Sequence, residues 1–460
     1  MLGRPVPVKP LGNLTLVVMN TLMLTYEDAL RRAYNAATAG SKESLMNKPE
    51  RLTRAVAAAE FQVGGVIMRR PFRIRRLGHF GVNVADPEKS KDFYCRLLGF
   101  RISDPLDFGP RLPEDKRSSV GTTVGYFSRH GTDHHSFVFF PKDAYAVLNP
   151  HSLKPSGTIN QITWQVGSLQ EVSDAFDWFT RRGKQIRRAG RDLPGSNWHF
   201  YPPDPDGHTN ELYYGIEQIG WDGYSKPREM YGVRYTKPPN LPHQSEYAEV
   251  TQATKDGIAI EEGLRASDMG GEETYDVGGI LLARPFKIAR IGPVRLFTED
   301  MEAMVRFYRD DLGLTITEEV NYKSHHCVFL RANTEHHAMA LYPLALREEL
   351  RLRSDTTLMS FGLQLGTYKQ LRDAVAFLKE SGVTIKYLPP ELFPGIDYCA
   401  FAIDRDGFAF QLYYYMEQIG WDGKPRPESQ RVEIDNTKWP EAVEAHSDTF
   451  LGEPFLGPLG

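Results

Sequence analysis

The sequence predicts an α+β fold of two tandem domains, each a pair of βαβββ modules, behind a helical N-terminal extension. Three observations lead there. Glu217-Gln-Ile-Gly-Trp-Asp-Gly223 recurs unchanged at Glu417 to Gly423, and Val63-Gly-Gly-Val-Ile-Met-Arg-Arg-Pro-Phe72 returns as Val277-Gly-Gly-Ile-Leu-Leu-Ala-Arg-Pro-Phe286. Self-similarity of this kind marks a duplication. Each half then divides again into a strand, an amphipathic helix and about three strands.

The elements follow in order. Residues 1–62 form an extension that is partly helical, with a proline-led, alanine-rich segment from Pro49 to Glu60. The first domain, 63–223, opens with a strand over Leu77–Val84, after which Asp86-Pro87 supplies an N-cap and a first-turn proline. Phe93, Tyr94, Leu97 and Leu98 give that helix its apolar face, and Gly99 stops it. Strands are expected at 122–127 and 135–140. The second module repeats the order: strand 159–166, Ser168 as cap, Leu169, Val172, Phe176 and Phe179 on one helical face, Gly183 as stop, then strands at 198–201 and 209–214. Residues 224–276 are a proline-rich connector with a helix near 245–264. The second domain spans 277–423, its modules opening at 291–297 and 358–365, and 424–460 is a tail.

Composition narrows the function. The 460 residues carry 55 Lys and Arg against 59 Asp and Glu, a net charge of -4, which supplies no electrostatic footprint for nucleic acid. Cys95, Cys327 and Cys399 are scattered without a CxxC pair, which argues against a disulfide framework or a thiolate zinc site and fits a cytoplasmic location. The most apolar early stretch, Leu14 to Leu24, is broken by Thr15, Asn20 and Thr21 and is too short and polar to span a membrane. Phosphate loops, nucleophile elbows and HExxH are absent from the sequence. Basic clusters such as Arg69-Arg70 with Arg73, Arg75 and Arg76, or Arg181-Arg182 with Arg187-Arg188, read as solvated faces. The repeated Ile-Gly-Trp-Asp-Gly occurs in both halves and reads as structural, a clamp on each domain's exit strand.

Gly78-His-Phe with Asp-Pro and Phe-Tyr…Leu-Gly-Phe downstream, His134-His135 opening a strand, and Tyr201-Pro-Pro-Asp-Pro-Asp-Gly-His-Thr-Asn-Glu211 resemble the vicinal oxygen chelate superfamily. Within it the likeness is to the two-domain extradiol catechol dioxygenases, over residues 72 to 425. The resemblance implies two tandem vicinal-oxygen-chelate domains and a metal held by a His, a second His and a Glu, matching His79, Gln161 and Glu211. Strand alternation puts such residues on one surface, and a buried carboxylate such as Glu211 is costly unless paired or metal-bound. Gln161 departs from the pattern. Either its amide oxygen coordinates, or His135 enters as third ligand, or there is no catalytic metal.

The second half has Pro293, Ser360 and Gln411 at the matching positions, so the resemblance places one metal site, in the first domain, although His336-His337 parallels His134-His135. That reverses the usual domain order of the family. The likeness further implies His135 as acid-base group, Tyr201 and His199 as its catalytic neighbours, and Tyr201, Asp192 and Trp198 as substrate contacts, Asp192 standing where the family has a histidine. Fe(II) is the implied metal, with Mn(II), Zn(II) or Ni(II) as alternatives. The activity implied is extradiol cleavage of a catechol-like aromatic with O2, in a homo-oligomer without nucleic-acid or membrane partners. A glyoxalase- or epimerase-like metal enzyme and a non-catalytic small-molecule binder are the alternatives.

Overall fold

A computed structural model of the chain describes residues 60–63, 66–220, 223–238, 245–263, 269–420, 422–436 and 438–444. The expected helix at Pro49–Glu60 and most of the N-terminal extension lie outside the described residues, as do Trp221, Asp222 and Trp421 of the repeat.

Each domain is a curled mixed sheet with a pair of helices. In the first, the strand order is Val233–Arg234, Ala189–Arg191, Trp198–Phe200, Asn210–Tyr214, Ile159–Gln165, Arg76–Val84, Phe137–Pro141, Val124–Arg129, Arg101–Asp107. Within each module the first strand runs parallel to the last, and the two first strands meet antiparallel at the centre. The second domain repeats this as Thr315–Tyr322, His325–Arg331, Met339–Pro343, Ile288–Thr298, Leu358–Leu365, Ala409–Tyr413, Cys399–Ile403, Ile385–Lys386. The fold is that of tandem vicinal-oxygen-chelate domains.

Local chemistry accounts for the boundaries. The Asp86 carboxylate accepts the amides of Glu88 and Lys89 at the start of helix Pro87–Lys91, and Ser168 Oγ accepts that of Glu171 at the start of Leu169–Arg181. The first helix continues as a π turn over Asp92–Leu97, and the second domain has the same switch at Phe307–Asp311. Short hairpins, Phe61–Val63 with Val66–Met68 and Tyr275–Val277 with Ile280–Leu282, precede the domains. In the second, Gly278 and Gly279 both have positive φ, as a two-residue turn between twisted strands requires.

Three expectations are corrected. His135 lies just before the strand Phe137–Pro141 rather than on it. The connector is not wholly a spacer, because Val233–Arg234 pairs with Ala189–Arg191 as the edge of the first sheet. Its helix, Glu246–Lys255, is shorter than expected and binds Arg191 through both carboxylate oxygens of Glu249. All three cysteines are buried and no disulfide joins them. Among the described residues no helix is long and apolar enough to cross a membrane.

The domains join along a pseudo-twofold contact. Phe361 stacks on Phe137 at 5.2 Å and tilts against Phe80 at 5.4 Å. The Tyr94 hydroxyl donates to Asp404 at 2.6 Å, and its counterpart Tyr308 donates to Asp204 at 2.8 Å. Two chemistry-bearing faces remain, one inside each curled sheet.

Candidate metal centre and cavity

Three adjacent strands of the first domain build the centre. Thr163 is paired with Glu211, and its hydroxyl accepts the His79 amide and donates to the His79 carbonyl, both at 2.6 Å. That fixes the backbone from which the imidazole projects. His79 Nε2 then lies 3.3 Å from Glu211 Oε2, with both side chains 1% exposed. Asn197 Nδ2 donates to Glu211 Oε1 at 2.7 Å, and His199 Nδ1 is 3.7 Å from that oxygen. The other ring nitrogen of His199 meets Asp192 Oδ1 at 3.2 Å. Burial pushes the Glu211 carboxyl up, but His79, His199 and Asn197 outweigh it and leave its pKa below the ordinary value.

A second histidine relay abuts this pair. Asp104 Oδ2 meets His134 Nε2 at 2.8 Å, His134 Nδ1 meets His135 Nδ1 at 3.0 Å, and the His135 ring stands edge-on to His79 with centroids 4.1 Å apart. The Asp104 carboxylate accepts from His134 Nε2, and one proton lies between His134 Nδ1 and His135 Nδ1; with that proton on His135, its lone pair is on Nε2. Burial, with His79, His134 and His199 nearby, holds the pKa of His135 well below the usual range. The relay is clamped by the repeated segment: His134 N donates to Glu217 O at 2.8 Å, Glu217 N to Gly195 O at 2.9 Å, and Ile219 N to Thr132 O at 2.6 Å. A Cβ on Gly195 would come 2.8 Å from the His135 ring, at φ +94°, so glycine is required there.

A cavity of about 730 Å³ opens beside the centre. Its lining includes the apolar Leu106, Phe108, Phe140, Leu148 and Leu193, the polar Gln161 and Tyr201, and four arginines. The Tyr201 ring sits 4.9 Å from His199 and under the Arg188 guanidinium at 4.7 Å. Burial and the nearby Glu211 raise its pKa well above the ordinary value, so Tyr201 is a phenol and a donor. Burial pushes the Asp192 carboxyl up, but His199, Arg188 and Arg234 prevail and hold it below the carboxylate range.

The structure therefore brings together His79, Glu211, His135, His199, Asp192, Gln161 and Tyr201. His79 and Glu211 are not on the cavity wall themselves. Trp198 does not belong with them: it alternates with His199 along its strand, lies under the Arg191 guanidinium at 4.9 Å, tilts against Tyr235 at 6.0 Å, and is not part of the cavity lining. Asp192 stands behind the wall as a counter-ion rather than on it. Arg75 and the pair Arg187-Arg188 are not solvated faces, since Arg75 is buried on Glu171 and the pair lines the cavity. Asn197, Arg111 and Arg234 were not singled out by the sequence. Asn197 was within reach, since alternation from His199 puts it on the same face.

The donor set suits a divalent metal. Two cis ligands with bonds of about 2.1 Å stand about 3 Å apart, close to the 3.3 Å between His79 Nε2 and Glu211 Oε2. The Nδ1 atoms of His79 and His199 are buried without hydrogen-bond partners. Among the described residues no group of three His, Cys, Asp or Glu side chains is arranged around one point.

A family model described as the Glyoxalase/Bleomycin resistance protein/Dioxygenase superfamily matches residues 76–212 and 290–412. The chain belongs to that superfamily. Its relatives there include a biphenyl-2,3-diol 1,2-dioxygenase of Metapseudomonas furukawaii, 28% identical over 183 residues, 39% of this chain and 51% of that protein. A 3-methylcatechol 2,3-dioxygenase of Pseudomonas putida is 25% identical over 146 residues, 31% of this chain and 43% of that one. The chain thus spans about half the length of the curated relatives it matches. Among solved structures, a Mn(II)-bound glyoxalase of Novosphingobium aromaticivorans aligns at 14% identity and TM-score 0.47, covering 76% of this chain and 85% of that one. In this glyoxalase/dioxygenase superfamily member the two matched segments fall within the two domains.

Proposed function

We propose that the protein is a metal-dependent extradiol-type dioxygenase, active in its first domain, that opens a catechol-like ring with O2. The observation that carries this reading is the buried His79–Glu211 pair beside a cavity large enough for an aromatic ring, in the half that does not carry Pro293 and Gln411 at these positions. The dioxygenase relatives support the same class. His79 and Glu211 would hold a ferrous ion, with Gln161, on the same sheet face and at the cavity wall, offering its amide oxygen as third donor. When bound, the metal supplies the electron transfer that lets O2 react beside the diol.

The chain's own residues do the rest. The Tyr201 phenol donates a hydrogen bond to a substrate oxygen. His135, neutral and with its lone pair on Nε2, accepts a proton from the diol side, and the Asp104–His134 relay stabilises the cation so formed. Asp192 orients His199, and Asn197 fixes the rotamer of Glu211. The apolar wall excludes water and seats the ring.

Anaerobic purification followed by elemental analysis of the wild type, His79→Ala and Glu211→Ala tests this. Stoichiometric iron lost in both variants, with oxygen uptake on a catechol panel by the wild type, is expected. Zinc, nickel or manganese without oxygen uptake would instead indicate a glyoxalase- or epimerase-like reaction, and no metal after reconstitution would overturn both mechanisms.

A further inference from the structure

The cavity wall carries more positive charge than ring cleavage requires. Arg111, Arg187, Arg188 and Arg234 all line it, and no carboxylate among the described residues does. The nearby counter-ion Asp192 is already divided: it takes Arg234 Nε at 2.6 Å, Arg188 Nη1 at 3.4 Å and His199 Nε2 at 3.2 Å, and Asp204 acts on Arg187. Arg187 bonds only neutral oxygens, Thr209 Oγ1 at 2.5 Å and Gly207 O at 3.0 Å. Among the described residues Arg111 has no hydrogen-bond or ion-pair partner for its guanidinium. Burial and the charges of Arg228, Arg234 and Arg188 lower its pKa.

Arg111 and Arg234 reach solvent, and four guanidinium groups around one cavity give it a positive potential that favours an anionic ligand. The elements that contribute them are unrelated in sequence. Arg111 ends a 3-10 turn between two strands of the first module, Arg187 and Arg188 precede the strand Ala189–Arg191 of the second, and Arg234 comes from the connector. A guanidinium fork pairs with a carboxylate through two parallel hydrogen bonds. The lining also includes the apolar side chains Phe108, Phe140 and Leu148. A volume of about 730 Å³ exceeds what one small ring fills.

We propose that the first-domain cavity takes an aromatic substrate bearing a carboxylate, with the ring toward Tyr201 and Gln161 and the carboxylate on the arginine side, engaged by Arg111. This deepens the ring-cleaving reading and rests on it for the identity of the ring. The arginine side selects the anion; the apolar side holds the carbon skeleton that joins it to the ring.

The test is anaerobic titration calorimetry of the full-length protein with three probes: a carboxylated aryl catechol, its methyl ester, and a carboxylated biaryl lacking the diol. The acid should bind about tenfold or more tightly than the ester, the advantage should shrink with added salt, and Arg111→Gln should abolish it while Arg111→Lys restores part. Equal affinity for acid and ester, or a preference unchanged in Arg111→Gln, overturns the proposal. The two readings fail separately. A carboxylate preference shown by the diol-free probe in a protein that consumes no oxygen upholds the anion subsite and sinks ring cleavage. Oxygen uptake with equal kcat/KM for acid and ester does the reverse.

Discussion

At positions related by the duplication, the first domain carries His79, Gly81 and Glu211 where the second carries Pro293, Arg295 and Gln411. The histidine relay beside them is nearly the same in both. Glu318, His336 and His337 repeat Asp104, His134 and His135, with Glu318 Oε2 3.0 Å from His336 Nε2 and His336 Nδ1 3.1 Å from His337 Nδ1, and Glu417 and Gly395 repeat the clamp of Glu217 and Gly195. In the second domain, however, Arg295 Nη2 reaches His337 Nε2 at 3.2 Å, and its guanidinium lies 5.3 Å over the Phe393 ring. The interior around it is packed with Phe297, Phe329, Met359, Phe393 and Phe401. The same scaffold thus holds a cavity where a carboxylate faces a histidine, and is packed where an arginine supplies a fixed cation. The duplicated His-His relay is part of the scaffold, whereas the His79–Glu211 pair is peculiar to one half.

The sharpest way to break this comparison is to give the first domain the second domain's residue. Glu211→Gln should remove bound metal and reduce oxygen uptake to background while the protein stays folded, as elemental analysis and circular dichroism would report. Retained metal would show that Glu211 is not a ligand.

The next effect concerns the paired aspartates at the domain contact. Asp204 faces His208 Nδ1 at 2.8 Å, but Asp404 has Phe408 in that place. Burial, helped by Asp406 and opposed by the Tyr94 hydrogen bond, pushes the Asp404 carboxyl up to about 6. The folded protein therefore holds a proton that the unfolded chain has released between about pH 4 and pH 6. Stability should fall by about 3 kcal/mol as pH rises through that window and then level off. Thermal melts of the wild type and Asp404→Asn should diverge across it, and parallel profiles would refute the assignment.

Arg295 offers a smaller effect of opposite sign. Its Nε and Nη1 are buried without hydrogen-bond partners, and a buried charge without full compensation costs stability. Arg295→Met should raise stability by about 2 kcal/mol in denaturant titration and leave metal content unchanged. A loss of stability would mean that the guanidinium holds the second domain together. Smallest is the third donor. Gln161→His restores a second imidazole and should tighten iron binding about tenfold, measured by competition with a chelator. If His199→Ala lowers affinity and Gln161→Ala does not, the third donor is His199 Nδ1.

Much of the centre was legible because strands have a strict period. Alternation places His79, Gln161 and Glu211 on one face, and two internal repeats show which of them the scaffold does not need. The same rule, applied to His199 and Tyr201, excludes Trp198 from that face. The helix starts were equally legible, since Asp86 and Ser168 cap by local chemistry. What escaped was convergence. Arg111, Arg188 and Arg234 are far apart in the chain, and in sequence Arg187-Arg188 cannot be told from a solvated basic run.

The sequence by itself determined the duplication, the βαβββ order, and which half carries a histidine and a carboxylate at matched positions, because repeats and period-two patterns are written locally along the chain. Only the tertiary structure decided that Thr163 locks His79 against Glu211, that Asn197 and Asp192 stand behind the site, and that four arginines line one cavity. Those depend on which strands become neighbours in the curled sheet and on how far burial leaves each charge from water.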